Sequence, residues 1–272
     1  MKLNKLSIAV LLMLSGSASM AQTSSADQPI RSLEFGVKGG ATFTHGFTNI
    51  PGQTIGTSGV QIPALENKNN GIGYGYSGGI WARKNFNKFF VQAEVTYNRF
   101  VLKQKTATTL DVNANPALAN ALPVSVQPGL INASLNVVSE SVLESINVPI
   151  LFGKRWMDGK LRGYIGPNLI FVQKAEATRA TSGVINANTR VGFPQTDIPA
   201  TTGKTNLLNR YEAQNLEVLD FTYAVELGVG YTPVRFLDVD VRYAVPVGGV
   251  YKDKNITGFL GIATVSLGFK VF

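Results

Sequence analysis

Between residues 218 and 231 the side chains alternate in kind without a break. Leu219, Phe221, Tyr223, Val225, Leu227, Val229 and Tyr231 are apolar or aromatic, whereas Asp220, Thr222, Ala224, Glu226, Gly228 and Gly230 are polar or small. An extended chain sends successive side chains to opposite faces, so this segment has one greasy wall and one polar wall. The design returns where Leu237, Val239, Val241, Tyr243 and Val245 alternate with Asp238, Asp240, Arg242 and Ala244. The closing segment sets Phe259, Gly261, Ala263, Val265, Leu267, Phe269 and Val271 against Leu260, Ile262, Thr264, Ser266, Gly268 and Lys270. Noisier segments at residues 33–45, 72–84, 89–102, 142–156 and 161–174 bring the expected strands to eight.

No later stretch reaches the ~18 consecutive apolar residues of a spanning helix, so membrane residence requires a closed barrel. The connections at residues 84–88, 157–160 and 232–235 are short, and those at 46–71, 103–141 and 175–217 are long and read as irregular. Short periplasmic turns facing long extracellular loops are the asymmetry of membrane barrels, and an even strand number returns both ends to the periplasm. The expected fold is therefore all-β: a transmembrane antiparallel up-and-down barrel of about eight strands in the outer membrane. Phe35, Trp81, Phe86, Phe89, Trp156, Tyr231, Phe236, Phe269 and Phe272 gather at the short-turn ends and read as an interfacial girdle.

The first residues support export. Lys2 and Lys5 precede an apolar run over residues 6–14, then small residues ending at Ala21, so residues 1–21 read as a signal peptide. Residues 22–32 form a short periplasmic segment, and residues 33–272 the barrel. Cysteine is absent, which removes disulfides, thiol nucleophiles and cysteine-based metal sites. No cofactor is implied, and no basic stripe with interleaved aromatics points to nucleic acid.

Strand parity turns Glu34, Lys38, Arg83, Glu94, Arg155, Arg162, Asp220, Glu226, Asp238, Asp240 and Arg242 toward the lumen. Opposite charges in so narrow a space read as a structural network that plugs the barrel. Gly36, Gly40, Gly73, Gly75, Gly79, Gly228 and Gly230 read as relief of crowding inside it. His45 is the sole histidine, near the outer end of the first strand, and reads as a solvated strand-end residue in preference to a catalytic one. The outer segments carry Lys68, Lys103, Lys105, Arg179, Arg190, Lys204, Arg210, Lys252 and Lys254, which could meet lipopolysaccharide phosphates. Residues 114–122, ended by Pro123, read as a short helix.

The segment Ser145-Ile146-Asn147-Val148-Pro149-Ile150-Leu151-Phe152 resembles the central strand of the PorT-like outer-membrane barrels of Bacteroidetes. The run Tyr164-Ile165-Gly166-Pro167 and the closing Ser266-Leu267-Gly268-Phe269-Lys270-Val271-Phe272 are similar to that family too. The resemblance implies a barrel over the whole mature chain, without a catalytic assignment, and in some members a part in protein secretion. Phe269 and the terminal Phe272 look like an assembly signal for the barrel-insertion machinery. The expected function is a monomeric, non-enzymatic surface protein whose loops meet a secretion or envelope partner. A small transport channel and a lipid-modifying enzyme centred on His45 are the alternatives.

Overall fold

The computed structural model describes residues 32–55, 60–111, 130–187, 196–213 and 216–271. The expected signal peptide, the helix at 114–122, Arg190 and Phe272 lie outside the described residues. In chain order the strands are β1 (Leu33–Ile50), β2 (Gln53–Ile55), β3 (Val60–Ile62), β4 (Leu65–Asn69), β5 (Gly73–Phe86), β6 (Phe89–Asp111), β7 (Leu130–Trp156), β8 (Leu161–Ala187) and β9 (Thr196–Asn206). A short helix α1 (Arg210–Ala213) precedes β10 (Phe221–Val234), β11 (Leu237–Pro246) and β12 (Thr257–Lys270).

Antiparallel pairing closes a ring of eight in the order β1, β5, β6, β7, β8, β10, β11, β12 and back to β1. The closing seam runs from Gly36 opposite Lys270 to Asn49 opposite Thr257. Closure leaves no open edge in the ring, which the hydrocarbon of a membrane demands because no water is there to satisfy free amides. The eight ring strands are those read from alternation. The parity is also as read: in β10 every even residue from Thr222 to Gly230 is buried and every odd one from Phe221 to Tyr231 is exposed on the outer wall.

The long connections depart from expectation. Strands β7 and β8 each have 27 residues, well over twice the ~9–11 that a tilted strand needs to cross a bilayer. Residues 103–141 and 175–217, read as irregular, contain the upper parts of β6, β7 and β8 together with β9. Pairing continues without the rest of the ring: Asp111 lies opposite Asn132, Ala133 opposite Ile185, and Ile185 opposite Thr196. Above the barrel these four strands form a sheet. The region 46–71 contains strand as well, because β1 runs on to Ile50 and pairs with β4.

Short turns close the other end. Met157, Asp158 and Gly159 all have positive φ (53°, 53° and 86°), the hand that matches the twist of flanking strands. Both described chain ends lie on this side, since Leu33 is opposite Lys84 and Gly36 opposite Lys270.

Candidate functional site

The lumen is filled in layers. Nearest the short turns, Arg83 binds Glu34 at 3.0 Å and Asp238 at 2.9 Å, and its Nε donates to Gln92 at 2.6 Å. Arg162 bridges Asp238 (2.9 Å) and Asp240 (3.2 Å). One level up, Arg242 joins Glu94 (2.6 Å) to Glu226 (2.9 Å), and Lys38 binds Glu94 from the other side at 3.1 Å. Tyr164 links the two levels: its hydroxyl donates to Asp240 at 2.8 Å and accepts from Arg242 Nε at 3.0 Å. These groups come from six different ring strands, so the cluster ties opposite walls together across the bore.

Two sequence assignments need correction and one residue was missed. Asp220 is exposed, with 70% of its side chain accessible, and faces Lys252 at 3.6 Å. It precedes the first residue of β10, so the parity that points Thr222 inward does not govern it. Trp81 is not in the girdle. It is buried in the lumen, where its indole N–H donates to the Val37 carbonyl at 3.3 Å and the Arg83 guanidinium lies 4.7 Å from its ring centroid. Its neighbours Ile80 and Ala82 take the outward positions. The missed member is Lys270, whose ammonium reaches Asp238 at 3.4 Å and Glu34 at 3.5 Å. Its even position in the closing strand was the available signal.

Arg155 is buried beside the network but stands apart from its carboxylates. It faces Arg162 across the β7–β8 pair and donates to the Asn87 carbonyl, and no carboxylate among the described residues is within ion-pair distance. The inner glycines make room for the cluster: a Cβ on Gly228 would stand 2.6 Å from the Tyr164 ring.

Above the charges, a cavity of about 30 Å³ bordered by Ser77, Asn98, Asn147, Asn168 and Thr264 has room for one water. Higher still the lumen becomes apolar. Phe100, Ile170, Val172, Ala224, Ala244 and Ile262 from the wall meet Leu207, Ala213 and Val218 from the chain that folds over the mouth. That cap is anchored. Asn209 accepts the Tyr211 amide at 3.0 Å as the N-cap of α1, and the Leu219 amide donates to the Val250 carbonyl at 2.9 Å. Hydrogen bonding to Glu217 at 2.7 Å raises the Lys252 ammonium above its usual range, and burial pushes the Tyr251 phenol up. Among the outer acids, Glu176 is held below the ordinary glutamate range by hydrogen bonds from Lys204 and Lys174.

His45 points out of the barrel, 3.1 Å from the Tyr243 hydroxyl and with its ring centroid 5.7 Å from that of Phe259. Phe35, Phe86, Phe89, Trp156, Tyr231 and Phe269 face outward at the short-turn end, and Phe236 is half-buried.

Residues 20–251 match the family described as outer membrane protein beta-barrel domain, and the ring accordingly lies in the cell outer membrane. No curated protein matches the chain. Similar solved structures include Ail, the attachment invasion locus protein of Yersinia pestis, with 8% identity, 88% of this chain and 99% of that one covered, and a TM-score of 0.30. Neisserial surface protein A shares 13% identity over 86% of this chain and 96% of that one, with a TM-score of 0.30. The outer membrane protease OmpT from Escherichia coli shares 11% identity over 91% of this chain and all of that one (100%), with a TM-score of 0.25.

Proposed function

We propose, for a chain that belongs to the outer membrane protein beta-barrel family, a non-enzymatic role as a closed anchor that displays an interaction surface outside the membrane. The observation that carries this reading is a filled lumen joined to a sheet of β6, β7, β8 and β9 that continues far above the ring. A conduit would need an open bore, which a lumen filled by side chains does not leave. The outward position of His45, against Tyr243 and Phe259 and not among acids, supports a non-enzyme.

The finer placement is with PorT-like barrels of Bacteroidetes, supporting protein secretion or envelope organisation. Pro149, from the motif that carries the resemblance, is fully buried in the part of β7 that belongs to the ring, opposite Asn168 of β8. The chain is exported with cleavage after Ala21, is inserted by the barrel-assembly machinery through its closing strand, and works as a monomer, a reading supported by a closed ring that offers a second copy no free strand edge. Lipopolysaccharide is the outer-leaflet partner: exposed Lys68 and Lys105 stand directly opposite each other across β4 and β6. Like charges so placed repel; the exposed Glu66 carboxylate, 3.5 Å from Lys68, offsets only one of them, and a lipid phosphate between the two lysines relieves the rest.

The test compares partners cross-linked on intact cells by the full chain and by a variant in which residues 104–139 and 176–206 are replaced with tight turns. A partner lost only with the extension, while the variant still shows heat-modifiable mobility, supports display. The same captured set from both proteins, or sustained pores in the full chain, rejects it.

A further inference from the structure

Charge on the outer wall is uneven near the short turns. Among the described outward-facing residues beside those turns, the strands present apolar or small side chains, and only β5 and β7 add a charge, Lys84 and Lys154. Lys154 stands in register between Phe89 of β6 and Gly163 of β8. The row above it reads Lys84, Val91, Phe152 and Ile165 across four consecutive strands. Both lysines therefore flank the same strip of apolar wall.

That strip carries a shallow, open depression. A groove of about 590 Å³, open to the outside, is bordered by Phe86, Phe89, Val91, Phe152, Lys154 and Ile165. Gly163 brings no side chain to fill it, and the Trp156 ring leans over the space a Cβ would take, 3.0 Å away. The Lys154 ammonium lies 5.8 Å from the centre of that ring. A lysine within three residues of the turn has a stem long enough to lie on apolar wall while its ammonium reaches headgroup depth. With the short turns on the periplasmic side, that depth belongs to the inner leaflet.

We propose that this groove is a binding site for an anionic glycerophospholipid of the periplasmic leaflet. One acyl chain lies along Val91, Phe152 and Ile165, and the phosphate accepts from Lys154, with Lys84 supplying the second positive charge. Charge complementarity selects the occupant. The groove is apolar where hydrocarbon reaches it and cationic at the level of the phosphate, with no acid on the neighbouring outward rows to neutralise the lysines. Anionic headgroups are drawn to such a cation, and zwitterionic ones carry their own positive charge and gain less.

Trp156 reports on the site because its ring lies over Gly163 at the edge of the groove, whereas Trp81 is enclosed in the lumen. The full chain is reconstituted in phosphatidylcholine vesicles containing an equal small fraction of brominated phosphatidylglycerol or brominated phosphatidylethanolamine. Trp156→Phe isolates the residual Trp81 signal. Selective quenching of Trp156 is expected, corresponding to an enrichment of about five-fold for one lysine–phosphate contact. Lys154→Gln removes the preference and Lys154→Arg retains it, with heat-modifiable mobility confirming that each protein is folded. Equal quenching by the two brominated lipids in the unaltered chain overturns the site, since the groove then holds ordinary annular lipid. Protection of Trp156 from both lipids also overturns it, because a second copy of the chain then covers the groove. Preference that survives in Lys154→Gln overturns the assignment of the phosphate.

Discussion

Single side chains decide whether the buried charges hold together or push the walls apart. Arg242 touches Glu94, Glu226 and Tyr164 at once, so its removal leaves Glu94 with Lys38 as its one cationic partner and Glu226 with only the Asn168 amide, where water cannot make up the loss. Breaking a buried pair from one side costs about 3–5 kcal/mol, whereas replacing the whole set by apolar groups of similar volume is often neutral. Arg242→Met is accordingly expected to lower the urea midpoint of the refolded barrel by an amount in that range. Glu226→Gln in the same background should recover part of the loss, and a double-mutant cycle with no coupling would contradict the contact. Outside the membrane, Glu176 offers a pH test. Its folded-state pKa is depressed by Lys204 and Lys174, so the stability it lends is present above the ordinary glutamate value of 4.5 and is lost as pH falls through the depressed one. Cleavage between β8 and β9 by an acid-active protease should rise over that acid window in the unaltered chain, and Glu176→Gln should flatten the dependence. This residue scale was only partly legible in the sequence. Parity located ten of the eleven expected lumen charges among buried or half-buried positions, but it could not exclude Asp220, one residue outside the strand.

At the scale of elements, legibility tracked what each strand had to face. Strands β10 and β11 separate lipid from a packed lumen, and that contrast wrote itself as alternation; Leu227 and Val229 point out while Glu226 and Gly228 point in. The upper part of β6 lacks that chemical contrast. Its run Thr106, Ala107, Thr108, Thr109 continues the ladder opposite Val137, Asn136, Leu135 and Ser134, and one face is buried, but Gln104 and Thr106 on it are polar and hydrogen-bond to Thr48 and Asn67. A period-2 signal can be read only where burial selects apolar side chains, so the sheet above the membrane read as irregular chain. The same reasoning makes the closing strand indispensable. β12 is hydrogen-bonded on both sides, to β1 from Asn49 to Gly36 and to β11 from Ala244 to Leu237. Deleting residues 265–272 would bare edges on both neighbours in a solvent that cannot satisfy them. The truncated chain is expected to lose its heat-modifiable form and to vanish from outer-membrane fractions, and normal abundance there would contradict the closure.

For the whole molecule the question is whether anything passes through it. Two barriers of different chemistry lie in series: the charged cluster near the short-turn end and the apolar cap formed by Leu207, Ala213 and Val218 at the opposite mouth. The lower barrier is close to electrically balanced, with Glu34, Glu94, Glu226, Asp238 and Asp240 against Lys38, Arg83, Arg162, Arg242 and Lys270, and Arg155 in excess. A permeating ion would have to displace partners already held at hydrogen-bond distance, and the space above them holds about one water. The eight-strand circumference reinforces the point, because a bore of that size is just wide enough for side chains to fill, whereas open aqueous channels use ~16 strands or more. Purified protein in planar bilayers is therefore expected to show no sustained conductance. The series arrangement makes a sharper demand. Removing the cap by replacing residues 207–218 with a tight turn takes away only the outer barrier, so it should leave the bilayer silent. Combining that deletion with Arg242→Ala and Glu94→Ala should produce channel events. Stable channels in the unaltered chain, or channels after removal of the cap alone, would mean that the charged cluster yields to ions and that the barrel conducts.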